Sequence, residues 1–187
     1  MELARGAMLK QSGFAALTFL LAGTEVVMTA REARAANVPY RTLSPAEVKT
    51  LDALGETLLP GAASAGISNY IDQQISIAPA DSLVVLRYLD VPPPFAGFYQ
   101  GGLAALDGAA RAQSGGAFAD IPGPDRHTLV RNLGAPANPA GWTLPLPARL
   151  FYFALRSDAV DVVYGTVEGF QKLGIPYMPH IAPVGSW

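Results

Sequence analysis

The spacing of apolar positions after residue 43 is that of a helical protein. Leu51, Leu54 and Leu58 fall on one face at helical spacing, and the charged positions between them face away. Ser44 and Glu47 form a capping box in front of this run, with proline at the first helical position. The sequence therefore predicts a helix that begins beside Ser44 and ends at the Leu-Pro-Gly sequence after Leu58.

Four later segments carry the same periodicity, and a fifth is harder to assign. Helices are predicted over residues 68–77, 95–110, 125–133 and 145–157. Residues 83–89 are short and β-branched, and their helical neighbours favour a helix there. No internal repeat interrupts this succession of helices.

Two of these helices allow expectations about which side chains are inside. In the helix over 68–77, Asp72, Gln73 and Gln74 are expected to face largely toward solvent. In the last helix, residues 150–155 are apolar nearly all round, which is typical of a central, buried helix.

The chain ends in an apolar tail that cannot continue a helix. Three prolines fall within eight residues, and each fixes φ at about −65° and removes a backbone donor. The same tail carries Tyr177, Met178, Ile181 and Trp187. We therefore predict an all-α fold: a compact multi-helix domain over residues 36–187 with a long irregular, proline-rich C-terminal tail that lies on a surface of its own domain or of another protein.

Residues 1–35 have the pattern of an export signal. Arg5 and Lys10 precede an apolar run from Gly13 to Gly23, and Ala33-Arg34-Ala35 is a small-x-small sequence of the kind that signal peptidase reads. The sequence RGAMLK around Arg5 also resembles a twin-arginine export signal in which glycine replaces the second arginine. The pattern predicts a periplasmic protein, with an N-terminal apolar helix as the alternative interpretation.

Composition excludes several kinds of function. Charged residues make up 15% of the chain, against about 25% in ordinary soluble domains, which favours a chain partly covered by a partner. The net charge is −2 and no run of Lys and Arg exists, so a phosphate-binding surface for nucleic acid is not expected. The absence of cysteine excludes iron–sulfur ligation, thiolate zinc sites and covalent haem attachment.

Candidate catalytic residues are few. The sequence contains two histidines, His127 on a predicted exposed helix and His180 in the tail, and no known nucleophile, phosphate-loop or dinucleotide motif. Asp158, Asp161 and Glu168 lack the oxygen-rich loop of a calcium site, so a solvated acidic face is the better interpretation. We predict no catalytic, cofactor-binding or metal-binding residue in this chain.

An aromatic patch is predicted near the C-terminus. Tyr152, Tyr164, Tyr177 and Trp187 combine aromatic character with low charge density, as interface cores do. Closure of the domain's own core is an equally open interpretation. The tail residues favour an interface and Tyr152 favours the core.

Five short sequences within residues 40–187 carry a family resemblance. They are LSPAE at 43–47, LLPG at 58–61, GISNYID at 66–72, YQGGLAALD at 99–107 and YGTVEGF at 164–170. In this order they resemble the small subunit (subunit 3) of gluconate 2-dehydrogenase-type enzymes. The commoner ending of that family continues Tyr–Gly–Gly–Asn, whereas Gly–Thr follows Tyr164 here, so the chain resembles a divergent branch.

The resemblance implies an accessory subunit without an active site of its own. Its partner would be a large flavoprotein of the glucose–methanol–choline type, which carries FAD and oxidises an alcohol group of a sugar, sugar acid or related compound. Electrons then pass to a cytochrome c subunit or a quinone pool, which implies a complex associated with the outer face of the inner membrane. Small subunits of this kind also carry the export signal for the folded partner.

The apolar tail and the resemblance together predict a docking element from Tyr164 to Trp187. Gly165 and Gly169 have the spacing that allows helices to approach closely. The predicted interface residues are Tyr164, Gly165, Gly169, Phe170, Pro176, Tyr177, Met178, His180, Ile181 and Trp187.

Two other functions remain open at this stage. An independent, exported helical protein would bind a small ligand in an apolar pocket lined by Phe95, Tyr99 and Phe151. A cofactor-free enzyme would use His180 together with Asp161 or Glu168 as acid–base groups.

Overall fold

A β-hairpin precedes a set of packed helices. The computed structural model describes residues 16–175, and the proline-rich tail from residue 176 onward lies outside that range. The predicted all-α class is confirmed for the described residues, with one small two-stranded sheet added. The elements are β1 (Ala16–Leu21), β2 (Thr24–Thr29), α1 (Ala30–Ala35), α2 (Pro45–Leu58), α3 (Ile67–Ile75), a 3-10 turn (Val85–Tyr88), α4 (Ala96–Ser114), a second 3-10 turn (Phe118–Asp120), α5 (Gly123–Leu133), α6 (Ala148–Tyr164) and α7 (Val167–Lys172).

Helix α2 begins and ends where the sequence predicts. The Ser44 hydroxyl accepts a hydrogen bond from the Glu47 backbone N–H, and the Glu47 carboxylate accepts one from the Ser44 N–H at 2.7 Å. Both donors belong to the first turn, where no helical carbonyl can pair with them. Leu51 and Leu54 on the inner face are buried.

The hydrophobic core lies between α2, α4 and α6, which contact one another. Helix α4 approaches α6 closely at Gly102, where an added Cβ would lie 2.2 Å from the ring of Phe151. The Phe98 ring packs edge-on against Tyr99 and tilted against Phe151. A glycine in mid-helix costs about 1 kcal/mol relative to alanine, and here the absent side chain makes room for an aromatic ring.

Residues 16–29 form strands and not the apolar helix that was the alternative interpretation of the N-terminus. Leu17 and Phe19 are buried, whereas Thr18 and Leu20 are exposed. Burial therefore alternates from one residue to the next, as in a β-strand with one buried face. Ala22 and Gly23 connect the strands with φ of 50° and 82°, the two positive values that a tight hairpin turn requires. The export-signal interpretation of residues 1–35 remains a prediction.

The prediction that Asp72, Gln73 and Gln74 face solvent is wrong. All three are buried on α3, together with Ser68 and Asn69. Asp72 accepts hydrogen bonds from the N–H groups of residues 41, 42 and 43 at 2.8–2.9 Å, and Gln74 accepts one from Leu83. Polar side chains are buried here because the connecting segments beside α3 supply hydrogen-bonding groups that the helix period does not reveal.

Helix α6 differs from its prediction in length and in surroundings. It continues to Tyr164, seven residues beyond the predicted end. It is not buried all round, because Phe153 is 48% exposed and Val160 42% exposed. The segment over 83–89 contains a 3-10 turn in place of the predicted helix. No helix in residues 16–175 has both the length and the apolar character needed to cross a membrane.

Candidate docking surface at the C-terminal helices

Helices α6 and α7 meet at a sharp corner. Gly165 ends α6, and its N–H donates to the carbonyl of Asp161 at 2.9 Å. Thr166 then caps α7, because its hydroxyl accepts a hydrogen bond from the Gly169 N–H at 2.9 Å. The two residues between the helices, Gly165 and Thr166, fix the direction in which α7 leaves α6.

Gly169 allows the two helices to touch through their backbones. A Cβ added at Gly169 would lie 2.5 Å from Tyr164 Cα and 2.6 Å from the carbonyl oxygen of Val163. Any larger side chain at position 169 would therefore push α7 away. Gly165 has a different role, because a Cβ added there would lie 2.4 Å from the Asp161 carbonyl oxygen of α6, the helix that Gly165 ends.

Helix α7 ends in a left-handed glycine. Gly174 has a φ of 66°, the Ile175 N–H donates to the Phe170 carbonyl, and the Gly174 N–H donates to that of Gln171. This pair of bonds is a Schellman motif, which satisfies the last carbonyls of a helix and turns the chain. Leu173 and Ile175 beside it are each 50% exposed.

The outer face of α6 carries two exposed apolar side chains, Phe153 and Val160, among the exposed charged residues Arg149, Arg156 and Asp161. Phe153, Val160 and Tyr164 follow one another at helical spacing, and Tyr164 is half-buried where α7 packs against it. Of the eight large apolar side chains exposed in residues 16–175, four come after residue 150. We call Phe153, Val160, Tyr164, Leu173 and Ile175 the C-terminal surface.

Charges hold α7 to the N-terminal part of the fold. Glu168 lies 3.4 Å from Arg31 of α1 and 3.0 Å from Lys172. The hydrogen bond from Lys172 and the charge of Arg31 together hold the pKa of the Glu168 carboxyl below its usual value. Because all three side chains are exposed, these ion pairs orient α7 more than they stabilise it.

The inner face of α6 carries a buried carboxyl group. Asp158 is fully buried, its Oδ2 accepts a hydrogen bond from the Tyr99 hydroxyl at 2.7 Å, and its Oδ1 has no partner. Burial raises the pKa of Asp158 to about 7, against the opposing effect of the Tyr99 hydrogen bond. Burial also raises the pKa of Tyr99 and of Tyr70 nearby. Asp158 therefore does not belong to the solvated acidic face that the sequence predicted.

The four described members of the predicted interface lie together at the α6–α7 corner. Gly169 is buried, and Tyr164, Gly165 and Phe170 are half-buried. The other six lie outside the described residues: Pro176, Tyr177, Met178, His180, Ile181 and Trp187. Leu173 and Ile175 lie within the predicted docking element but were not among its interface residues. Phe153 and Val160 lie outside it, because the sequence pattern did not show which face of α6 is exposed.

The residues proposed for other functions lie elsewhere. Phe95, Tyr99 and Phe151, the expected lining of a ligand pocket, are buried in the core cluster. His127 is exposed on α5, and Tyr152 is half-buried against the core as predicted. Within residues 16–175, no three His, Asp or Glu side chains are grouped so that they could hold a metal ion.

The fold and the corner define a small, mostly helical domain with apolar surface exposed at its C-terminal helices. Residues 45–182 match the family model of gluconate 2-dehydrogenase subunit 3, and the chain belongs to that family. The match covers most of the chain and includes the whole of α2 to α7. The family name is that of a subunit of a dehydrogenase complex. No curated protein and no solved structure gives a significant match.

Proposed function

We propose that this chain is the non-catalytic small subunit of an FAD-dependent dehydrogenase complex. The large subunit is a flavoprotein that carries FAD and oxidises an alcohol group of a sugar, sugar acid or related compound. The chain binds the flavoprotein and stabilises it, and electrons pass onward to a cytochrome c subunit or a quinone pool. Family membership supports the class of complex, and the C-terminal surface supports the manner of binding.

The C-terminal surface is the observation that carries the proposal. Phe153, Val160, Leu173 and Ile175 are between 42% and 50% exposed, on two helices that pack together. Isolated exposed apolar residues are ordinary, but a run of them on adjoining elements marks an interaction site. The apolar tail begins directly after Ile175, so a partner that binds this surface would also contact the tail.

The proposed complex is periplasmic. The basic residues Arg5 and Lys10 near the start of the sequence, and the resemblance of RGAMLK to a twin-arginine signal, support export with a folded partner. In this proposal the small subunit provides the signal for a flavoprotein that has already bound its FAD.

Co-purification tests the complex itself. The chain is purified from the cells that naturally produce it and passed through a size-exclusion column. We expect it to elute with a much larger polypeptide that shows flavin absorbance. Elution as a free monomer without any flavoprotein would contradict the proposal and would favour an independent ligand-binding protein.

Surface variants then test the binding site. Phe153→Gln and Val160→Gln replace exposed apolar side chains, so folding should be unchanged while the yield of flavoprotein in the complex falls at least ~10-fold. A chain that ends at Ile175 should lose the flavoprotein in the same way. His127→Gln, an exposed substitution on α5, is the matched control. An unchanged complex in all three test chains would show that the partner binds elsewhere.

A further inference from the structure

The small-x-small sequence at the predicted processing site lies in a structured part of the fold. Ala33 is fully buried, and α1 begins with a capping box between Thr29 and Glu32. The N–H of Ala36 donates to the Glu32 carbonyl and that of Val38 to the Ala33 carbonyl, so the chain is fixed on both sides of the bond after Ala35. Proteases cut preferentially at flexible chain, and although Ala35 and Ala36 are exposed, these backbone hydrogen bonds hold the bond between them in a fixed conformation.

We infer that residues 16–35, which we call the N-terminal segment, remain a permanent part of the mature subunit, so that the chain is not cut after Ala35. The inference does not rest on the proposed function, because it concerns how this chain is held together. Cleavage at any bond before residue 16 is compatible with it.

Apolar packing attaches the N-terminal segment to the domain. Leu17, Phe19, Ala30 and Ala33 all belong to the core cluster and are at most 7% exposed. Both β1 and α1 contact α3. Removal of the segment would expose the apolar side of α3 to water, whereas an ordinary signal peptide has no part in the core of the protein that it exports.

Polar contacts from α3 and α2 reach the same segment. The Gln73 side-chain amide donates to the Thr18 carbonyl at 3.2 Å. The register of the hairpin explains this contact. Thr18 pairs with Val27 at a position where the Thr18 carbonyl points away from β2 and can accept a hydrogen bond from Gln73. Arg34 forms an ion pair of 2.7 Å with Asp52 of α2. Loss of the segment would leave the buried Gln73 amide without this acceptor and Asp52 without its ion-pair partner, although the Ser68 hydroxyl would still donate to Asp52.

A glycine in the domain leaves room for α1. Gly66, just before α3, has a φ of 84°, and a Cβ at this position would lie 2.2 Å from the Ala30 carbonyl oxygen. The two backbones can touch because position 66 has no side chain. The domain is therefore shaped to receive the N-terminal segment, which is not expected if that segment were discarded.

The N-terminus of the natural protein gives the direct test. No lysine lies between Lys10 and Lys49, so digestion after lysine keeps the bond between Ala35 and Ala36 inside one peptide. The subunit purified from its natural cells is digested without prior labelling, and its peptides are identified by mass. We expect a peptide ending at Lys49 that begins at or before Ala16. A peptide from Ala36 to Lys49 as the main product would overturn the inference.

Two matched glycine variants test the attachment in the purified full chain. Gly66→Ala and Gly61→Ala both place alanine at a positive φ, 84° and 95°, but a Cβ at Gly61 would meet nothing within 4 Å. Trypsin cleavage after Arg34 should be accelerated on the order of tenfold more in Gly66→Ala, because local opening of α1 becomes easier. Equal cleavage rates in the two variants would contradict the inference.

A shortened chain tests the inference without depending on whether Gly66→Ala folds. A chain that begins at Ala36 should lose its cooperative thermal transition or show a Tm lower by at least ~10 °C. A Tm equal to that of the full chain would overturn the inference. Failure of the flavoprotein to co-purify would count against the proposed function and leave this result unaffected.

Discussion

The N-terminal segment and the C-terminal helices are attached to the same helical domain in different ways. The N-terminal segment is held by buried apolar side chains and by buried polar groups of α3. Helix α7 is held by a backbone contact at Gly169 and by exposed ion pairs, and it leaves Leu173 and Ile175 half-exposed. The first arrangement hides its apolar residues within the chain, whereas the second leaves them available to a partner. The difference distinguishes an internal structural part from the proposed docking surface within one small domain.

The largest expected effect is on the N-terminal side, at Asp72. Asp72→Ala removes the acceptor of three backbone N–H groups from residues 41–43, of which the Leu43 N–H is buried and the other two are partly buried. We expect a loss of about 3–5 kcal/mol in the free energy of unfolding, measured by urea denaturation. Asp72→Asn keeps one acceptor oxygen, so its loss should be less than half as large. A loss below about 1 kcal/mol for the alanine variant would show that α3 does not hold these residues.

The next effect concerns the buried carboxyl of α6 and depends on pH. Because the pKa of Asp158 is raised to about 7, the folded chain keeps a proton that the unfolded chain releases near pH 4. The free energy of unfolding should therefore fall as pH rises from about 4 to 7, by up to ~1.4 kcal/mol per pH unit. Above pH 7 this contribution no longer changes.

Asp158→Asn tests the sign of that dependence. Asparagine cannot ionise, so the slope that belongs to this site should be absent in urea titrations between pH 4 and 7. Tyr99, Tyr70 and Asp161 remain unchanged around it, as does the N–H of Val85. An identical slope in the variant and in the natural chain would assign the pH dependence to other groups.

A smaller effect on stability is expected at the helix corner. Gly169→Ala brings a Cβ to 2.5 Å from Tyr164 Cα, so α7 must move. We expect about 1–2 kcal/mol of destabilisation, together with loss of the flavoprotein in co-purification. Gly97→Ala is the control, because its Cβ would meet nothing within 4 Å and alanine favours the helix. Full retention of the flavoprotein by Gly169→Ala would separate α7 from partner binding.

The smallest effect is expected from the exposed charges that join the two regions. Arg31→Gln removes the ion pair between α1 and α7, and Lys172→Gln removes the pair within α7. Each should lower Tm slightly at low salt, and the difference should disappear at about 1 M salt, where screening is strong. A large, salt-independent fall for Arg31→Gln would mean that α7 is attached more firmly than the geometry indicates.

The helices of the domain are predictable because their signals are local. The capping box at Ser44, for example, specifies α2 without any knowledge of its neighbours. The sequence did not indicate the hairpin, because Ala22-Gly23 is not one of the common turn pairs. Residues 17–21 are also mostly apolar, so the alternation of a half-buried strand is not visible there. The burial of Asp72 depends on a segment about thirty residues earlier in the sequence. The periodicity within α3 carries no information about that segment.

The candidate site is less predictable than the fold. The glycine spacing at Gly165 and Gly169 indicated a close approach, but the sequence predicted neither α7 nor the α6–α7 corner, because the last predicted helix ends at Ser157. The exposed face of α6 was not predicted either, because Asp158 falls among the inward positions Phe151, Ala154 and Ala159 and interrupts the apolar stripe. Because Asp158 is a buried carboxyl group bonded to the Tyr99 hydroxyl, the core-facing side of α6 could not be recognised from apolar residues alone.

The contact between Thr18 and Gln73 also has a consequence for protein synthesis. Thr18 leaves the ribosome 55 residues before Gln73 does, an interval of several seconds at ~5–20 residues per second. During that interval the N-terminal segment has no finished surface on which to fold. In the proposed export, a targeting factor would have this interval, before α3 emerges, in which to find the start of the chain extended.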